Sequence, residues 1–321
     1  MIADDIVKFT FSGDSSDPIK RHITGLYSFD RAFEPAGGQL GMPLGTGYEV
    51  YGAPSTGKST WSHSMAGIIA GQLSTNIHIS DLEGFDAGHL ANILSYLKYK
   101  GDVHLGHQGK DEKILGDFAD VFLGRAGLEL KYGIGVLDSI AAISPVAEKE
   151  GDFGSANYGR RAVLMGMLSR RLLPTIHPRT IGSENVYFLT NHWYPKIGGT
   201  KYQYESPGGN VKNYLCGIRI HLKRNGKPFD DNSYRLIGRP DKNRYGITKK
   251  QFTVFVKAGI GIHPGLTAMF ECIDLNLATS GKSVKIGDKS FGFRKKIIEK
   301  EWQDDEFFQP FYAVLKENEN D

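Results

Sequence analysis

Cysteine is nearly absent from this chain: Cys216 and Cys272 are the two examples in 321 residues, and they stand far apart. That argues against a disulfide framework and for a reducing compartment, with each thiol read as a small buried hydrophobe. No apolar run is long enough for a membrane-spanning helix. The opening MIADDIVKF carries acids where a secretory signal carries lysine ahead of an apolar stretch. A cytoplasmic protein with no membrane partner is the expectation. The net charge of +3 is too small to name nucleic acid as a partner. Internal repeats and low-complexity segments are missing as well. What remains, 40% hydrophobic and 23% charged, is an ordinary globular composition, enough for one large core and a small satellite domain.

One turn departs from that background. Gly52, Ala53, Pro54, Ser55, Thr56, Gly57, Lys58, Ser59 and Thr60 follow the apolar run Tyr48-Glu49-Val50-Tyr51 and open a helical stretch. Strand, G-x-x-x-x-G-K-S, helix is the order of a phosphate-binding P-loop. Its glycines let backbone N–H groups close around phosphate oxygens, and the helix adds its positive end. Lys58 is placed to reach the outer phosphates, and the Ser59 hydroxyl to ligate Mg²⁺. The expected ligands are ATP and Mg²⁺. Behind the turn, Trp61, Met65, Ile68, Ile69 and Leu73 recur at helical spacing and predict a helix with one buried face.

Three further apolar runs end in polar groups: Ile77-His78-Ile79 before Ser80-Asp81-Leu82-Glu83, Ile134 to Leu137 before Asp138, and Val186 to Thr190 before Asn191-His192. Strands alternating with helical stretches predict a mostly parallel sheet covered on both faces, with ligands bound beyond its carboxyl ends. Asp138 fits the acid that holds Mg²⁺ or its water. Glu83 is the better candidate for the carboxylate that polarises an attacking water, with Asp81 the runner-up as a capping or supporting group. Residues 1–22 read as an arm whose alternating run, Ile6 to Phe11, is a strand in search of another sheet edge. Near residue 262, His263-Pro264-Gly265 breaks the pattern, and residues 263–321 read as a small C-terminal α/β domain. Ser280-Gly281-Lys282-Ser283 imitates the end of a P-loop, but Asn276 stands where the first glycine is required, so a lysine-rich turn is the better reading. His104 and His107 have ligand-like spacing but belong to a surface loop. Basic clusters at Arg160-Arg161, Arg170-Arg171, Lys223-Arg224, Arg239 to Arg244 and Arg294 to Lys296 are read as solvated faces that permit DNA binding without identifying it.

With these residues in place, the chain resembles the RecA-type recombinases from about Ile6 to the C-terminus. Ile23 to Asp30 resembles the motif ahead of the family's P-loop. LDSIAAISPVAEKEGDFGSANYGRRA, from Leu137, resembles its metal-binding strand running into the first DNA-binding loop, and TNHWYPKIGG…ESPGGNVKNY its sensor strand and second DNA-binding loop, roughly residues 193 to 212. The resemblance implies a RecA-like P-loop ATPase core over residues 23–262 that forms helical filaments on single-stranded DNA and pairs them with homologous duplex. It makes Glu83 the catalytic glutamate, and Asn191 and His192 sensors of the γ-phosphate. Tyr158 and Ile197 become wedges between bases, and Gly208, Gly209 and Asn210 a turn on the DNA backbone. The first loop runs roughly from residue 148 to Gly159, Arg160 beside it is a further DNA-binding candidate, and Arg170 matches a basic position on the following helix. Lys242 and Arg244 resemble the cations that enter a neighbour's ATP site; in an extended segment their spacing puts both on one face. Single-strand-binding and mediator proteins are the implied loading partners. Three features depart from the bacterial pattern: the arm lacks most of the preceding helix, the acidic tail is short, and His192 replaces the usual glutamine, as in phage recombinases of the UvsX type. Two rivals share the core: a ring helicase motor, which usually carries an additional N-terminal domain, and a DNA-coating or regulatory protein that binds ATP without productive turnover.

Overall fold

The computed structural model describes residues 20–34, 39–84, 86–106, 111–123, 132–143, 160–176, 184–195, 204–206, 211–230, 233–246, 248 and 250–318. The arm strand expected at Ile6 to Phe11 lies outside them. At the described start, Arg21–His22 pairs antiparallel with Met42–Pro43, and Arg21 Nη1 donates to the carbonyls of Phe33 (2.7 Å) and Gly41 (2.9 Å).

The core elements run β1 (Thr46–Gly52), α1 (Lys58–Leu73), β2 (Asn76–Asp81), α2 (Ala87–Tyr96), β3 (Val103–Gly106), α3 (Asp111–Phe122), β4 (Tyr132–Asp138), α4 (Arg160–Ile176), β5 (Val186–His192), β6 (Cys216–Asp230), β7 (Ser233–Asn243), β8 (Phe252–Lys257) and β9 (Gly261–Ile262). They build a 9-stranded sheet in the order β9-β8-β7-β6-β1-β5-β4-β2-β3. Strands β6, β1, β5, β4, β2 and β3 are mutually parallel, while β7, β8 and β9 extend the sheet antiparallel from β6. The expected α/β fold with a mostly parallel sheet is present, and the antiparallel extension adds to it.

Alternation along the strands sorts side chains between two apolar layers. Tyr48, Val50, Val136 and Phe188 pack against Trp61 and Met65 of α1. Leu137, Tyr187 and Leu189 face the other way, onto Phe118 of α3 and Leu168 and Leu172 of α4. One expectation is corrected here. Helix α1 is buried from Trp61 through Ala70, not on one face alone. The Ser64 hydroxyl accepts the Ile262 N–H at 3.0 Å, and Gly67 lies so close to Leu94 and Leu97 that a Cβ would meet each at 2.9 Å. A second layer, β9 and α2, thus covers the helix side that periodicity assigned to solvent.

Beyond the sheet, His263 caps α5 (Pro264–Asp274), its ring accepting the Leu266 N–H at 3.1 Å. An antiparallel three-stranded sheet (Thr279–Ser280, Val284–Ile286, Lys289–Gly292) and α6 (Gln309–Asn318) follow. Leu266, Met269, Phe270, Val284, Phe308 and Phe311 form a cluster of their own, which also takes in Tyr27 and Phe255 of the core. The P-loop imitation at Ser280 to Ser283 is the turn between two of these short strands and opens no helix.

Candidate functional site

Strand β1 delivers the chain to Gly52, where a Cβ would collide with the Leu222 carbonyl of β6. The turn beyond is exposed from Ala53 to Ser55, and Thr56 tightens it by donating its hydroxyl to the Ala53 carbonyl at 2.7 Å. Gly57 has φ 104°, a left-handed conformation that disfavours a side chain, and it faces the Tyr234 hydroxyl. It is also the N-cap of α1, which has no side-chain cap and no acid in its first turn. The helix therefore presents its first N–H groups and its positive end to whatever enters the turn. Lys58 Nζ donates to the carbonyls of Ala53 (3.0 Å) and Gly52 (3.3 Å). Burial holds its pKa below the ordinary lysine value, opposed by the carboxylates of Glu83 and Asp138. An anion at the turn would restore what burial takes from that ammonium. These features fit a polyphosphate. Ser59 is half-buried next to Lys58, and the Thr60 hydroxyl lies 3.3 Å from His89 Nε2.

The neighbouring strand ends bring the acids. Register pairs Gly52 with His192 across β1 and β5, Leu137 with Leu189 across β4 and β5, and Asp138 with Asp81 across β4 and β2. Asp138 is buried and accepts the Thr190 hydroxyl. Asp81 Oδ1 accepts the backbone N–H groups of Glu83 (3.0 Å) and Gly84 (2.8 Å). These two bonds shape the turn that carries Glu83. Glu83 itself accepts the Ser139 hydroxyl and meets His192 Nε2 at 2.9 Å, with side chains 38% and 22% exposed. Among the described residues no three His, Cys, Asp or Glu side chains gather into a metal site of their own. The hydroxyl of Ser59 and the carboxylate of Asp138 are the oxygen donors suited to Mg²⁺, which commonly takes one or two protein ligands and completes its shell with phosphate and water.

A family model described as the RecA N-terminal domain matches residues 10–262. The chain belongs to that family. Among its relatives, the Protein RecA of Oleidesulfovibrio alaskensis is 28% identical over 215 residues, 65% of this chain and 57% of that protein. The Protein RecA of Lactiplantibacillus pentosus is 29% identical over 213 residues, 65% of this chain and 52% of the relative. That of Phytoplasma mali is 27% identical over 281 residues, 84% and 76% of the two chains. In the first two matches the chain spans little more than half the relative's length.

Within this RecA-family core, β5 runs directly into the segment with the second-loop resemblance. Trp193 packs at a tilt against His221 of β6, ring centroids 4.3 Å apart and planes at 57°. Tyr194–Pro195 pairs with Tyr204–Glu205, which draws the two roots of the segment together. Ile197, Gly208, Gly209 and Asn210 lie outside the described residues, as do Tyr158 and Gly159 of the first loop. Arg160 begins α4, and Arg170 is exposed on it, on one face with Val163 and Met167. Lys242 Nζ donates to the carbonyls of Asn213 and Cys216, the latter at 2.8 Å. Desolvation lowers its pKa, and Arg244 adds to the effect. Arg244 is exposed just past the end of β7, so the two cations do not share one regular strand face. His104 Nδ1 lies 2.8 Å from His78 Nδ1 in a stacked pair; His107 is outside the described residues.

Sequence reasoning missed two side chains at the site, Ser139 on Glu83 and Thr190 on Asp138, and a pair behind it, Glu49 with Arg219 beneath Asn191. A signal existed for Glu49, a lone carboxylate within an apolar strand.

Proposed function

We propose that this chain is a DNA-dependent ATPase that polymerises on single-stranded DNA and pairs it with a homologous duplex, a recombination and repair activity. The observation that carries the reading is the end of β5: His192 meets Glu83 at 2.9 Å, and the next residue opens the segment that resembles a DNA-binding loop. Lys58 and the N–H groups of α1 hold the outer phosphates of ATP, and Glu83 orients the attacking water. Ser59 and Asp138 would hold Mg²⁺, which when bound would neutralise charge on the phosphates. His192 reports the γ-phosphate to residues 193–212. Arg244, with Lys242, reaches the triphosphate of the adjoining protomer, and Arg170, Arg160, Gly159 and Tyr158 line the DNA path with Ile197, Gly208, Gly209 and Asn210. Phosphate contacts supply most of the DNA affinity and make it salt-dependent, with little sequence preference.

The same reading divides the chain into an arm (1–22), an ATPase core (23–262) and a C-terminal domain (263–321). It sets the protein in the cytoplasm beside single-strand-binding and mediator proteins, and His192 aligns it with phage-encoded recombinases. Phosphate release measured with and without oligo(dT), with parallel electron microscopy, tests it. The expected result is stimulated turnover and filaments that need both nucleotide and DNA. A turnover rate indifferent to DNA, with no assembly, overturns it; unwinding of a forked duplex without any homologous partner would instead favour a helicase motor.

A further inference from the structure

Glu49 sits in the middle of β1 and is fully buried. A carboxylate in that position is tolerated when its oxygens are met by donors. Arg219 Nε of β6 donates to Oε2. Oε1 accepts Asn191 Nδ2 at 2.7 Å and the Ser206 hydroxyl at 2.7 Å. Arg219 Nη2 closes the ring by reaching Ser206 Oγ at 3.0 Å. Burial works against the guanidinium charge, but Glu49 outweighs it and holds the Arg219 pKa above its ordinary value. Lys212 adds a bond to the Ser206 carbonyl.

The three partners of Glu49 come from three different parts of the chain. Asn191 precedes His192 on β5, and successive strand residues point to opposite faces. His192 and Thr190 face Glu83 and Asp138, whereas Asn191 faces Glu49. Ser206 follows Tyr204–Glu205, the part of the segment beginning at Trp193 that returns to pair with Tyr194–Pro195. One buried carboxylate therefore holds both the strand end that touches the nucleotide site and the returning end of the segment beyond it.

We infer that Glu49 is a positioning residue that transmits the state of the nucleotide site to residues 193–212, an inference that rests on the function proposed above. A shift of the β5 end that lengthens the Asn191 bond leaves a buried acceptor under-satisfied. The carboxylate, tied to Arg219 and Ser206, has fewer hydrogen bonds to lose if those partners move with it. The ring thus favours a concerted movement over the breaking of one bond, and Ser206 follows the strand.

The experiment measures oligo(dT) affinity by fluorescence anisotropy, with and without a non-hydrolysable ATP analogue, for the wild type, Glu49→Gln, Ser206→Ala and the double variant. The readout is the ratio of the two DNA affinities. A wild-type ratio near one means that the proposed function fails, whatever Glu49 does. Given wild-type coupling, Glu49→Gln is expected to bind the analogue normally in the absence of DNA while the ratio falls about tenfold, within the usual range of such couplings. Ser206→Ala should lower the ratio in the same direction, and the double variant should fall no further than Glu49→Gln, because the two act through one ring. Folded variants that keep the wild-type ratio, including any that lose DNA affinity equally with and without nucleotide, overturn the inference. If Glu49→Gln does not fold, Ser206→Ala and Arg219→Lys decide by the same ratio.

Discussion

The two faces of strand β5 are built on different plans. Toward the P-loop, Thr190 meets the buried Asp138 and His192 meets Glu83, whose side chain is 38% exposed, on the side of the sheet where α1 begins without a side-chain cap. On the opposite face, Asn191 meets a carboxylate with no exposure at all, each of whose oxygens accepts at least one donor. The first face leaves the N-terminal N–H groups of α1 uncapped, where an anion can meet them. The second is buried and internally hydrogen-bonded. On the function proposed above, the contrast separates residues that do chemistry from residues that position them, although the two sets alternate along one strand.

Lys58→Ala strikes hardest at the first face. It removes the cation for the outer phosphates, and turnover should fall by about 100-fold or more, with phosphate release as the measurement. If turnover survives, the P-loop is not the nucleotide site and the contrast collapses. Glu83→Gln sharpens it. The hydrogen-bonding shape is kept and the basicity is lost, so turnover should fall by roughly 100-fold while analogue binding persists and DNA filaments become long-lived. Equal loss of binding in both variants would merge two roles that the geometry separates.

The smallest effect is a control on a second buried carboxylate, away from both faces. Glu271 accepts the Ser28 N–H at 2.8 Å and the Ser28 hydroxyl, and burial pushes its pKa up to about 7. Its folded pKa lies above the value of about 4.3 for an unfolded glutamate, so the native state holds the extra proton between them. Its contribution is complete below that unfolded value and is lost as pH rises through about 7. The melting temperature of Glu271→Gln should therefore gain on the wild type by roughly a few degrees between about pH 5 and about pH 8. His263, pushed down to about 4 by burial, titrates in both proteins and cancels from the difference. A flat difference would show that Glu271 is already charged, and that a hydroxyl and one N–H hold a buried carboxylate as well as Arg219 holds Glu49.

Much of the nucleotide side was legible because its signals are local. Gly52 to Ser59 needs nothing beyond its own order to be read, and Asp138 and His192 each end an apolar run. The antiparallel extension was harder. Ile218, Ile220 and Leu222 alternate with Arg219, His221 and Lys223, a period of two, but the charges there read more readily as a basic cluster than as one edge of a strand. Helix α1 was misread because periodicity within one helix carries no information about a second layer such as β9 and α2. Asp81 and Glu83 differ by a turn whose hydrogen bonds only a folded backbone reveals.

The order of residues was enough to determine a phosphate-binding turn, the acids at the strand ends and membership of a parallel α/β class, since each depends on neighbours a few bonds apart. Tertiary structure alone decided that Asn191 hydrogen-bonds Glu49, 142 positions away, and that Ser206 and Arg219 complete the ring. The physical reason is register. Which strands lie side by side, and which face each residue takes, is set by packing apolar layers against the sheet, and no short stretch of sequence contains that information.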